Sequence, residues 1–276
     1  MQSVGNVVKK SSSTLFWCLR SLPKPKREAL YTLSAFCRHI DSIIHSDMPV
    51  KEKQELLNAW REELNNIYDK SIPATAIGRK IYKNCLRFNL PKEQWQSILN
   101  SAFLNVPKLL QAPERKVFEE YINGSAVTPL YLALMIIGGK VKAADFELAK
   151  NLGHATLITS ILRDIKDDTK YNLFLFPRDI LDQACIKIEE VRQMVENKNI
   201  SEARQLLAQE AKPAFAKAER LLNKTNKRET LALRYLLNIN QYQYDIMDKR
   251  GWEIISPKPK IGTFGRMRIL YQTLFD

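Results

Sequence analysis

Glycine is scarce in this chain, with nine in 276 residues, and that shortage argues against long flexible linkers. Period-two alternation of apolar and polar residues is nearly absent, which argues against sheet-built folds. The four cysteines, Cys18, Cys37, Cys85 and Cys185, are scattered, with no C-x-x-C and no histidine at zinc-ligand spacing. That pattern speaks against a disulfide framework or a structural zinc, and reduced, mostly buried thiols in a cytoplasmic protein are expected. Long hydrophobic runs are missing as well. The longest, LYLALMII at 130–137, falls well short of the roughly 20 residues that span a bilayer, so contact with a membrane is compatible with the sequence and crossing one is not expected. The first residues carry lysines and serines with no sustained apolar stretch behind them, so no secretory signal is expected.

Acidic residues are outnumbered, 30 against 43 Lys and Arg, for a formal charge of +13. Such a surplus favours anionic partners: nucleic acid, phosphorylated metabolites or an acidic membrane surface. Zinc-finger spacing and an aromatic, Gly-rich base-stacking signature are both lacking, and the basic residues are dispersed. No nucleic-acid partner is expected, and a helical nucleic-acid binder stands as a distant alternative.

What the chain does have is helical periodicity. In KEKQELLNAWREELNNIYDK, Leu56, Leu57, Trp60, Leu64 and Ile67 fall on one stripe. Prolines at 23, 49, 73, 91, 113 and 177 punctuate the pattern, and helices often start just after such positions. Nine or ten helices of ordinary length follow, in a single all-α domain over 1–276 with 45% apolar residues for its core. From about residue 256 the tail turns basic, bears Gly and Pro, and ends in aromatic and aliphatic residues. Docking on the domain is the favoured reading of that tail over lying on lipid.

Two stretches gather carboxylates. In ITSILRDIKDDTKYNLFLFP (158–177), Asp164 and Asp168 lie one turn apart on one helix face, with Asp167 beside them. Arg163 adds a planar fork suited to a phosphate. Hard cations such as Mg²⁺ take one or two carboxylates plus phosphates and water, so the cluster suits a metal-diphosphate wall; spacing alone fits a solvated helix end at least as well. The second stretch, AFCRHIDSIIHSD (35–47), sets Arg38 and Asp41 in an otherwise apolar helix, where a charged pair needs partners. Two such helices facing each other make a bundle-core site.

The segments TLFWCLRSLPKPKREALYTLSAFCRHID, EYINGSAVTPLYLALMIIGG, GHATLITSILRDIKDD, LFLFP and YDIMDKRGWEI resemble, in order, the squalene/phytoene synthase family of isoprenoid synthases. The resemblance implies a helical bundle around a central apolar cavity, in which two acidic motifs hold Mg²⁺ and prenyl diphosphate substrates. Carried over by position, Asp41, Asp164 and Asp168 are the catalytic and metal-binding carboxylates. Arg38, Arg163 and Asp167 lie at the diphosphate, Tyr121 lines the cavity, and Lys249 or Arg250 supplies a further phosphate contact. The family's first motif reads D-D-x-x-D, whereas Asp41 is followed by Ser42, Ile43, Ile44 and His45, and Asp47 is out of phase to compensate. Ser34, Leu130, Leu157, Ser160 and Leu173 also depart from the family pattern. His39 and His154 are read as histidines without a metal role. Two readings stand open: a prenyltransferase of isoprenoid biosynthesis, weakened or altered at its first motif, and a noncatalytic family member that binds lipid or assists assembly. A cytoplasmic location is expected, at the inner membrane face if the tail meets lipid.

Overall fold

The computed structural model describes residues 18–106, 110–138 and 143–275; the segment 1–17, which bears the expectation about a secretory signal, lies outside the described residues. Among those residues there is no strand, only one isolated parallel bridge between Gln111 and Phe174. The helices are α1 (Lys24–Ile44), α2 (Val50–Asn65), α3 (Ala76–Phe88), α4 (Lys92–Asn105), α5 (Arg115–Ile122), α6 (Thr128–Gly138), α7 (Ala143–Asp168), α8 (Arg178–Gln183), α9 (Val191–Glu196), α10 (Ile200–Leu222), α11 (Leu231–Arg250) and α12 (Thr263–Phe275). The all-α expectation holds. Short helices α8 and α9 come on top of those that periodicity indicates, because six residues each leave no repeating stripe.

Prolines do punctuate the chain. Pro23, Pro49, Pro91 and Pro177 take the N-cap positions of α1, α2, α4 and α8, where the ring's fixed φ suits a helix start and its missing N–H breaks no intrahelical bond. Pro129 acts differently. Immediately before it, Asn123–Val127 form a π-helical turn that joins α5 to α6, relieving the loss of an i to i−4 bond inside what would otherwise be one helix. The apolar octet 130–137 is thus the end of a 24-residue helical run, Arg115–Gly138, long and apolar enough to cross a bilayer. That length corrects the view of the octet as an isolated short run. Two thirds of its apolar window is buried inside the fold, as befits a core helix.

The centre of the packing is α7, from which α6, α10, α11 and the π turn are all in contact. Close approach depends on two glycines: a Cβ on Gly124 would come within 2.5 Å of the Ser97 carbonyl oxygen and 2.4 Å of Ser101 Cβ, and one on Gly153 would meet the Val127 backbone at 3.0 Å. Gly124→Ala must push the π turn off α4, and overpacking of this kind costs about 1–3 kcal/mol. Urea denaturation of that variant should show the loss as a lower midpoint with an unchanged slope. Phe36 of α1 lies edge-on between Trp60 and Trp95, with 5.2 Å between ring centroids in both pairs. This apolar contact orients α1 and therefore the face that carries Asp41. Of the cysteines, Cys18 and Cys85 are buried, Cys37 is half-buried and Cys185 is exposed.

Candidate active site

Asp164 and Asp168 are buried at 3% and 5% exposure, so they are not the acidic fringe of a solvated helix end. Arg163 is buried with them and donates to both oxygens of Asp164, Nε to Oδ1 at 3.2 Å and Nη2 to Oδ2 at 2.5 Å. Its Nη1 is fixed by Gln243 of α11 at 2.5 Å. Burial works to raise the Asp164 carboxyl, but Arg163 and Lys258 outweigh it and hold the group below the usual carboxylate range. Asp168 goes the other way. Burial first, and then the neighbouring Asp164 charge, push its carboxyl up to about 6.

Asp41 lies at the other side, near the end of α1. Tyr121, fully buried on α5, connects the two sides: its phenol is driven well up by burial and then by the negative charges of Asp41 and Asp168. One buried hydroxyl feels both carboxylates, so α1 and α7 converge across α5. A second contact supports this placement, since the His45 ring packs 6.4 Å from that of Tyr171, three residues past Asp168. Ser42 faces solvent and donates to its own helix at the His39 carbonyl, 2.7 Å away. Burial, with help from the Lys53 charge, lowers His45 to about 4, so at neutral pH a neutral imidazole sits one turn beyond Asp41.

The remaining candidates divide. Arg38 sits on α1 one turn before Asp41, half-buried. Asp167 is more exposed than Asp164 and Asp168, and hydrogen bonds from Lys170 and Lys258 bring it down to about 2. Lys249 is exposed. Arg250 points at its own chain, where Nη1 and Nη2 donate to the carbonyls of Pro257 and Ile254 at 2.6 and 2.9 Å. His154 is within 3.4 Å of Glu119, and exposed His39 packs edge-on to Trp60.

Sequence reasoning missed Lys258. The strap 251–262 after α11 brings its ammonium between the two acidic groups, 3.0 Å from Asp164 Oδ1 and in direct contact with Asp167 Oδ2. Arg250 holds the strap in place through the two carbonyls just named. Buried Arg204 of α10 anchors the strap's beginning, donating to the carbonyls of Trp252 and Leu162, with burial lowering its pKa to about 10. Nothing in the sequence singles Lys258 or Arg204 out from the other basic side chains.

Asp41 and Asp168 offer hard oxygen donors, and the upward push on Asp168 is a charge strain that a divalent cation would relieve. They fit Mg²⁺ on that ground. Among the described residues no three His, Cys, Asp or Glu side chains form a ready metal cluster, so the rest of the coordination would fall to diphosphate and water, as is usual for this ion. Asp164 and Asp167 fit less well, because Lys258 already supplies positive charge between them.

In overall shape the chain is similar to the crystal structure of a dehydrosqualene synthase in complex with ligand, with a TM-score of 0.80 at 21% identity over 98% of this chain and 94% of that one. A squalene synthase from Alicyclobacillus acidocaldarius superposes with a TM-score of 0.77 at 19% identity over 90% and 93%. The architecture is the all-helical isoprenoid synthase fold. Residues 8–252 match the family model for squalene/phytoene synthase, and the chain belongs to that family of prenyl-transferring synthases. Among its relatives, a presqualene diphosphate synthase of Rhodopseudomonas palustris is 27% identical over 264 residues, spanning 94% of this chain and 92% of its own length. A second enzyme of that name from Sinorhizobium fredii is 24% identical over 260 residues.

Proposed function

We propose that the protein transfers prenyl groups between polyprenyl diphosphates, in the head-to-head manner of a squalene or phytoene synthase. The convergence of Asp41 and Asp168 on the buried Tyr121 phenol carries this reading. Bound with substrate, Mg²⁺ held by Asp41 and Asp168 would neutralise charge developing on the departing diphosphate. The protein's own groups do the rest. Arg163, locked by Asp164 and Gln243, presents a fixed cation at the diphosphate. Leu157 and Ser160 lie on the same face of α7, two turns and one turn above Asp164 respectively, and both are buried; a dry wall there shields an allylic cation from water. Tyr121 is held protonated and can direct its hydroxyl at the same locus.

Incubation of the purified protein with farnesyl or geranylgeranyl diphosphate and Mg²⁺, followed by diphosphate release, tests the reading. Release is expected from the wild type and its disappearance from Asp164→Ala and Asp168→Ala. Lys258 adds a prediction of its own. Removing a unit charge about 4 Å from a carboxylate changes a cation's binding by more than 1 kcal/mol even at an effective dielectric of about 20. Lys258→Gln should therefore raise apparent Mg²⁺ affinity by roughly tenfold or more, read as stabilisation of the unfolding midpoint during Mg²⁺ titration; identical titrations would remove Lys258 from the cation balance.

The same lysine favours a second reading, in which the family fold serves as a noncatalytic lipid-binding or assembly protein. An ammonium between Asp164 and Asp167 satisfies them without metal, and Ser42 and His45 stand where the resemblance implies carboxylates. A silent wild type whose turnover appears in Ser42→Asp/His45→Asp would support that reading over the first.

A further inference from the structure

The tail after the strap neither docks completely nor hangs loose. On one face of α12, Ile269 and Leu270 are buried in a small apolar cluster with Cys18, Leu231, Tyr235, Ile239 and Ile261, and Thr273 is buried as well. Asn238 of α11 donates to Thr273 Oγ1 at 2.9 Å. The opposite face is apolar too. Phe264, Met267, Tyr271, Leu274 and Phe275 follow one another at helical spacing and are 85%, 56%, 64%, 42% and 72% exposed. Single exposed apolar residues are ordinary, but five on one stripe of a 13-residue helix form a continuous surface of the kind that meets a partner.

Charge identifies the partner. From Ile254 to Phe275 the sequence contains no Asp or Glu, while Lys260, Arg266 and Arg268 fall within it beside Lys258, whose charge is already matched by Asp164 and Asp167. At the C-terminal end of the stripe a cleft of about 550 Å³ opens, lined by Cys18, Arg20, Ser21, Lys227, Arg228, Leu231, Thr273 and Leu274. Three of those residues are cationic and none is acidic, and Leu274 belongs to both cleft and stripe. Ser21 Oγ ties the cleft together, its one proton within reach of both the Cys18 carbonyl, 2.8 Å away, and the Arg228 carbonyl, 3.1 Å away. Aromatic and aliphatic residues along a helix, flanked by cations, are suited to the boundary between headgroups and acyl chains, and each Lys or Arg near an anionic leaflet adds to the attraction.

We propose that α12 and the adjoining Arg20–Arg228 cleft form a docking surface for an anionic phospholipid bilayer. The stripe enters the interfacial layer, and the cleft receives a lipid phosphate. This surface is independent of the diphosphate chemistry: it requires neither Mg²⁺ nor turnover.

Co-sedimentation of the full chain with phosphatidylcholine vesicles, alone and mixed with phosphatidylglycerol, is the test. The wild type should sediment with the mixed vesicles. Phe264→Ser/Phe275→Ser, at two exposed positions, should bind at least tenfold less at every salt concentration while keeping the wild-type melting curve. Arg20→Gln/Arg228→Gln should lose the preference for phosphatidylglycerol. Equal sedimentation of wild type and the serine variant would overturn the proposal. So would failure of the wild type to bind vesicles, including the case in which light scattering finds a dimer that the serine substitutions disperse, since the stripe would then pair two copies of this chain.

Discussion

Asp168→Asn is expected to make the protein more stable at neutral pH, by about 3 kcal/mol, with Mg²⁺ chelated. The folded carboxyl sits at about 6, some two units above its ordinary value, and each unit is worth about 1.4 kcal/mol. Because the shift is upward, the folded state binds the proton more tightly than the unfolded one. Stability is therefore undiminished below about pH 4 and falls as the pH rises towards 6, after which the penalty is complete. Asn carries no charge and escapes it. In a chain of this size the gain corresponds to an unfolding midpoint roughly 5–10 °C higher at pH 7, shrinking to nothing near pH 4. A wild type and variant that melt together at both pH values would show that Asp168 bears no charge strain. Stability withheld at a site that needs a negative charge is a familiar exchange of robustness for function.

Asp164→Ala should act in the opposite sense and at least as strongly. Arg163 is buried beside it, and removing one partner leaves a buried guanidinium facing an empty space, a loss of about 3–5 kcal/mol. Gln243 moderates this without supplying charge. The loss should appear as a lowered urea midpoint. Adding Arg163→Met to Asp164→Ala should recover part of it, because the stranded charge is then gone. Two losses that simply add would mean that the pair is not coupled in the folded protein. Asp164→Asn, which keeps the shape, separates the loss of charge from the loss of packing.

Much of this molecule could be read from its residues, and the exceptions have a physical pattern. Local signals carried through: the prolines that precede helices, and the one-turn interval that puts Asp164 and Asp168 on one face. Their burial did not follow from spacing, since the same interval suits a surface, and only the packing of α6, α10 and α11 around α7 removes the water. Lys258 was illegible for a related reason. It is 94 positions from Asp164, and its arrival depends on Arg250 gripping the strap, a role that differs from the phosphate contact implied by family resemblance. Ser42 and His45 are plain in the sequence, yet the outward turn of the first and the neutrality of the second come from the tertiary surroundings. The tail divides along its own helix: docking was the favoured expectation and holds for one face, while the exposed stripe became visible only once α11 had claimed the other.

The claim on which the rest depends is that α1 and α7 contribute to one site, and a double-mutant cycle tests it directly. Mg²⁺-dependent binding of a prenyl diphosphate can be titrated in wild type, Asp41→Asn, Asp168→Asn and the double variant. If the carboxylates share one cation-bridged ligand, each single substitution removes most of the binding and the second removes little more, a coupling of about 1 kcal/mol or greater. Strictly additive losses, or an Asp41→Asn variant that binds like wild type, would contradict a shared site.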